Sequence, residues 1–154
     1  MVEMLRRPSD ARGHANFGWL DTRHSFSFGQ YMDPRFMGYR TLRVLNEDFI
    51  KPGSGFPEHP HRDMEIISVV MRGGLSHKDS MGNGDTIRPG EVQTMTAGRG
   101  VRHAEFNESW DETVHLLQIW IEPEAPGLEP SYGQRDFQWL DHPNRRTLLV
   151  SRDG

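Results

Sequence analysis

The chain of 154 residues contains no cysteine. That removes disulfides, thiolate nucleophiles and sulfur ligands, so any metal held here sits on nitrogen and oxygen. It is also compatible with the cytoplasm, the location expected for this protein. No signal-like apolar run opens the sequence, and no stretch approaches the ~20 apolar residues of a membrane span, so no membrane partner is expected. Basic charge is not in excess: 18 Lys+Arg stand against 22 Asp+Glu, for a net charge of −4. No direct nucleic-acid partner is therefore expected. Internal repeats, heptads and any sustained 3.6-residue period are also missing.

What the chain does have is punctuation. Sixteen glycines and ten prolines separate short runs rich in β-branched and aromatic residues. About eight such runs in a chain of single-domain length predict an all-β sandwich or small barrel. Strands are expected at His24–Gly29, with Phe26 and Phe28 on one face, and at Tyr39–Glu47. Further strands are expected at Met64–Met71, with Leu75–Lys78 pairing back onto it, and at Glu91–Thr96. Thr113–Ile121 reads as a strand apolar on both faces, and Thr147–Val150 as the last strand. Asn83-Gly84 marks a hairpin. Pro123, Pro126 and Pro130 mark a long loop, and Gln134–His142 reads as a helical turn.

The chemistry concentrates in two short motifs, His59-Pro60-His61 and His103-Ala104-Glu105. Side chains at i and i+2 of a strand share a face, so each motif can aim two donors into one pocket. Two such strands would supply four ligands, and imidazole with carboxylate suits Fe, Mn, Ni, Cu or Zn. Glu65 competes with Glu105 for the fourth place. On a straight strand, however, it would lie roughly 13 Å beyond His61, whereas Glu105 is one step of two from His103. His14, His24, His77, His115 and His142 are expected to be surface or hydrogen-bonded residues. Gln118, on the apolar strand, could support a ligand or simply be a satisfied core amide.

Gly53-x5-His59-x-His61-x3-Glu65 resembles the first cupin motif. Gly90-x5-Thr96-x-Gly98 followed by His103 is similar to the second, with Thr96 at the usual proline and two extra residues before the histidine. The gap from Glu65 to Gly73 is also one residue longer than usual. With those departures, residues 59–65, 77–83, 87–90 and 95–105 resemble the pirin family, bacterial members above all, over residues 23–137.

The resemblance implies a cupin, that is, a double-stranded β-helix or jelly-roll barrel forming a single domain. Its expected limits are an irregular segment at 1–22, the metal-bearing barrel at 23–122 and a Pro-rich C-terminal segment at 123–154. Pirins normally carry two cupins in tandem, so this chain is expected to end toward an absent second one, with an uncovered apolar face that drives a homodimer. The resemblance also implies one divalent metal, usually Fe(II), on His59, His61, His103 and Glu105. The implied activity is quercetin 2,3-dioxygenase-type cleavage of a flavonol by O2. In that reaction Glu105 would be the catalytic base, and Phe56, Val92, Met95 and Phe106 are candidate linings. Two alternatives are an iron-dependent redox-sensing regulator that acts through protein contacts, and a structural metal site without turnover.

Overall fold

A computed structural model describes residues 6–151. Among them lie eleven strands: β1 (Gly13–Asn16), β2 (Leu20–His24), β3 (Leu42–Ile50), β4 (Ser54–His61), β5 (Glu65–Arg72), β6 (Leu75–Asp79), β7 (Gly84–Ile87), β8 (Glu91–Thr96), β9 (Val101–Asn107), β10 (Val114–Ile121) and β11 (Ser131–Asp136). Short 3-10 turns occupy Ser9–Ala11 and Trp139–Asp141. The strands form two antiparallel sheets, β1-β2-β3-β10-β5-β8-β11 and β4-β9-β6-β7. Leu20, Ile50, Val70, Val114 and Leu116 of the large sheet pack with Leu75 and Ile87 of the small one, so the core lies between the sheets. This is the jelly-roll cupin that the motifs predict.

Register explains where the polar residues go. His24, Asn46, Gln118, Ser68, Gln93 and Gln134 are successive partners across six strands of the large sheet. Partners in register share a face, so these residues form one polar row on the inner side. The row separates the core cluster just described from a second one, made of Ile66, Met95, Ala97 and Val101. A polar layer inside a small barrel costs desolvation unless it is hydrogen-bonded. His24 pairs with Asn46, and Gln118 and Ser68 with Glu105, whereas the buried Gln93 amide has no hydrogen-bond partner among the described residues.

Several expectations change at this level. The segment read as irregular carries β1 and most of β2, and the strand placed at His24–Gly29 ends at His24, leaving Phe28 in a lone bridge to Tyr31. β6 does not pair back onto β5; it crosses to the small sheet and pairs with β7 and β9. β10 is central, as its apolar character suggests, yet it alternates: Val114, Leu116 and Gln118 face inward. Its other face carries Leu117, Ile119 and Ile121, which pack against Ile67, Val69 and Val92, as do Phe137, Trp139 and Leu149. Gln134 to Asp136 continue β11, and the 3-10 turn forms only at Trp139–Asp141. Thr147–Val150 forms no strand, because β propensity without a partner edge leaves backbone groups unpaired.

Candidate metal centre

β4 is an edge strand of the small sheet, which is why it tolerates Pro57 and Pro60 where a central strand would lose ladder bonds. It pairs with β9, with His59 opposite His103 and Phe56 opposite Glu105. Two residues lie between Phe56 and His59, against one between His103 and Glu105, and the extra one makes a bulge. Such bulges re-aim side chains beside functional sites. Close approach of the two strands also requires Gly55, since a Cβ there would lie 2.2 Å from the Glu105 carbonyl oxygen.

His59, His61 and His103 converge, and their ligand atoms all lie within 4.8 Å of one another. Nε2 of His59 stands 3.0 Å from Nε2 of His103. His59 Nδ1–H donates to the Pro57 carbonyl at 2.8 Å, so its Nε2 carries a lone pair directed at the centre. Burial, reinforced by His59, lowers the His61 pKa to about 4. Burial also lowers His103 to about 3, with His59, His61 and His77 adding to the effect. Neutral imidazoles crowded this closely direct lone pairs into a shared space, an arrangement a cation stabilises. Two nitrogens at about 2.1 Å from one ion stand roughly 3.0–3.4 Å apart, so the observed spacing fits a metal. His103 is 1 % exposed at the base of the site, while His59 and His61 are half-buried toward solvent.

Glu105 projects from the same face of β9 and is fully enclosed, but the group of donors within 4.8 Å of one another comprises the three imidazoles and not this carboxylate. Gln118 Nε2 donates to both of its oxygens, at 3.0 and 3.2 Å, and Ser68 Oγ donates at 3.4 Å. Burial raises its pKa, against the lowering effect of Gln118. Gln118 accepts in turn from Trp120 Nε1 at 3.2 Å. Gln118 thus supports the carboxylate and not an imidazole. Glu65 is also outside that group: its carboxylate accepts from Thr96 Oγ1 at 2.7 Å, one position before the inward-facing Ile66.

The lining differs in part from the expected one. Phe56 flanks His59 with ring centroids 6.3 Å apart, and Met95 lies in the inner cluster. Val92 belongs to the outer cluster, and Phe106 alternates outward from His103 and Glu105. Trp120 takes their place, edge-on to His61 at 4.9 Å and in contact with Phe28 at 5.4 Å. Parity would have found it, because Trp120 is two residues from Gln118 on β10. His77 is hydrogen-bonded, as expected, but in the interior and not at the surface. It is 3 % exposed and touches His103.

A second buried carboxylate, Asp48, sits on β3 opposite Thr22, one step of two from Asn46 in the polar row. Burial raises it to about 7, with the charges of Glu105 and Glu47 adding and Thr22 opposing. Its folded pKa lies above its unfolded value of 3.8. Its contribution to stability is therefore fully present below that value and is lost as pH rises through about 7. His61 and His103, depressed from 6.5 to about 4 and about 3, contribute stability that is lost as pH falls below 6.5. The two effects oppose each other in the metal-free protein. Asp48→Asn removes only the first, so the Tm of the variant minus that of the parent should rise between pH 4 and 7 and level off above. Melting curves of metal-free protein across that range check it, and a difference independent of pH would contradict it.

Comparison with known proteins agrees with this geometry. A model of the family described as Pirin matches residues 6–121. The chain is 51 % identical over 148 residues to a quercetin 2,3-dioxygenase of Escherichia coli, covering 96 % of this chain and 63 % of the relative. It is 47 % identical over 146 residues to a pirin-like protein of Caulobacter vibrioides, covering 95 % and 62 %. This chain thus spans a little under two thirds of these curated relatives. Among solved structures, the bacterial pirin YhhW of Escherichia coli in complex with nickel(II) superposes with a TM-score of 0.83 at 53 % identity, over 85 % of this chain and 57 % of that one. A quercetin 2,3-dioxygenase of Acinetobacter baumannii superposes with a TM-score of 0.65 at 27 % identity, over 79 % and 46 %.

Proposed function

Since the chain belongs to the pirin family of cupins, we propose that it binds one divalent transition metal and catalyses quercetin 2,3-dioxygenase-type ring opening of a flavonol by O2. His59, His61 and His103 would hold the metal, with Glu105 as the fourth ligand. Fe(II) is the metal proposed first, and the nickel(II) complex of a relative shows that another divalent ion is accommodated in this family. The observation that carries the reading is the pair of imidazole Nε2 atoms facing each other at 3.0 Å. The metal would supply Lewis acidity and redox capacity toward O2.

The chain's own residues would do the rest. Burial makes the Glu105 carboxylate a stronger base than a free glutamate, which suits it to take the proton of a flavonol hydroxyl. Gln118 and Ser68 fix its orientation. Phe56 beside His59, and Trp120 beside His61 with Phe28 against it, would be the aromatic neighbours of a planar substrate bound at the metal. The half-buried state of His59 and His61 favours this reading over a closed structural site, whose four ligands would be sealed from solvent.

The test is O2 consumption with quercetin after loading with iron, nickel, copper or manganese in turn. Metal-dependent uptake that vanishes in His61→Ala supports the proposal. Protein shown to be loaded with each metal, yet consuming no O2 with quercetin, would contradict it.

A further inference from the structure

His77 and Asp79 lie one step of two apart on β6, opposite Glu105 and His103 of β9, and both side chains are wholly enclosed. His77 Nε2 is 3.1 Å from Asp79 Oδ2, and His77 Nδ1 is 3.5 Å from Nδ1 of His103. The tight turn after β6 clamps Asp79. The backbone N–H groups of Met81 and Asn83 donate to its Oδ1 at 2.9 and 3.0 Å, and the Asn83 side-chain amide donates to Oδ2 at 2.9 Å. These groups can only donate, so the carboxylate is the acceptor throughout, and His77 Nε2–H donates to it as well. A neutral imidazole has one N–H. In the neutral tautomer His77 Nδ1 is a lone pair aimed at His103, which meets it with Nδ1–H. The proton on Nδ1 leaves His103 Nε2 free at the centre, 3.0 Å from its counterpart on His59. Tyr132 stacks on His77 with centroids 4.8 Å apart and keeps the ring in this plane.

We infer that His77 and Asp79 are positioning residues of the metal centre, a carboxylate–imidazole line that fixes the tautomer, orientation and donor strength of His103. The inference rests on the metal-binding reading above and deepens it. Outer partners of ligating histidines are commonly a carboxylate or a backbone carbonyl, and the Pro57 carbonyl plays that part for His59. At His103 a second imidazole is interposed. The charge of Asp79 thus reaches the ligand through a polarisable ring, while the bulk of the carboxylate stays out of the crowded centre. The line ends at Asn83, in the turn that follows β6.

Asp79→Asn is the discriminating change. An amide NH2 facing His77 Nε2 would reverse the donor order, place a proton on His77 Nδ1 and drive the His103 proton to Nε2, where the metal binds. Nitrogen-15 NMR of the metal-free parent should show His103 protonated at Nδ1 and His77 at Nε2, with the pattern reversed in the variant. Affinity for nickel(II), measured by chelator competition, should fall about 10–100-fold. His77→Phe retains a ring to stack on Tyr132 but breaks the line, and should lose affinity to a similar degree while remaining folded. His103 protonated at Nε2 in the parent, or Asp79→Asn binding nickel as tightly as the parent, would overturn the inference alone. A parent that binds no metal would overturn it together with the functional proposal.

Discussion

His103→Ala, and separately His61→Ala, should abolish metal binding, with affinity falling by more than the roughly 100-fold upper range for the loss of an outer partner. The expectation follows from the convergence of three donors within 4.8 Å. Two imidazoles without the third make a poor chelate, and His77, the imidazole next to His103, is anchored to Asp79 outside the group of three converging donors. His61 is the cleaner test, because it is half-buried and its truncation opens less of a cavity than loss of the enclosed His103. Glu65→Gln serves as the control. That carboxylate is bonded to Thr96, so metal affinity should not change. Equilibrium dialysis with elemental analysis reads all three variants. Retention of one equivalent of metal by His61→Ala would remove the basis for the site.

Glu105→Gln should separate ligation from proton transfer. An amide oxygen can still reach a cation, whereas an amide cannot act as a base at neutral pH. Metal occupancy should therefore be largely retained at saturating metal, while kcat on quercetin falls by about 10²–10⁴, the range for loss of a general base. The substitution is nearly isosteric, but it confronts the Gln118 amide with a neutral partner where a carboxylate had accepted two contacts. A modest loss of stability is expected with it. Metal titration and steady-state O2 uptake on the same preparation check both halves. Undiminished kcat would exclude Glu105 as the base.

The parts of this site that were legible in the sequence are those fixed by local geometry. His59 with His61, and His103 with Glu105, are i, i+2 pairs whose shared face follows from strand parity alone. Distance along the strand, and not parity, sets Glu65 aside; in the structure its carboxylate accepts from Thr96 Oγ1. Turns were legible too, in the glycines that precede β9 and in the hairpin between β6 and β7, although its loop is 80–83 and Gly84 already pairs with Lys78. What was not legible depends on which strands become neighbours. His77 acquires its partners only because β6 crosses to the small sheet and lies against β9. Val92 and Phe106 were offered as lining because they are apolar and near the motifs, yet the packing of the sheets turns both outward. The polar row from His24 to Gln134 joins residues scattered over most of the chain and follows from five separate registers.

The central claim is that one cation joins donors from β4 and β9, and anomalous X-ray scattering from nickel-loaded crystals tests it most directly. The expected result is one strong peak per chain, about 2 Å from imidazole nitrogens of His59, His61 and His103, with a Glu105 oxygen completing the set. A peak at another histidine–carboxylate pair, such as His115 with Glu47 or His14 with Asp21, and none among the three imidazoles, would contradict it.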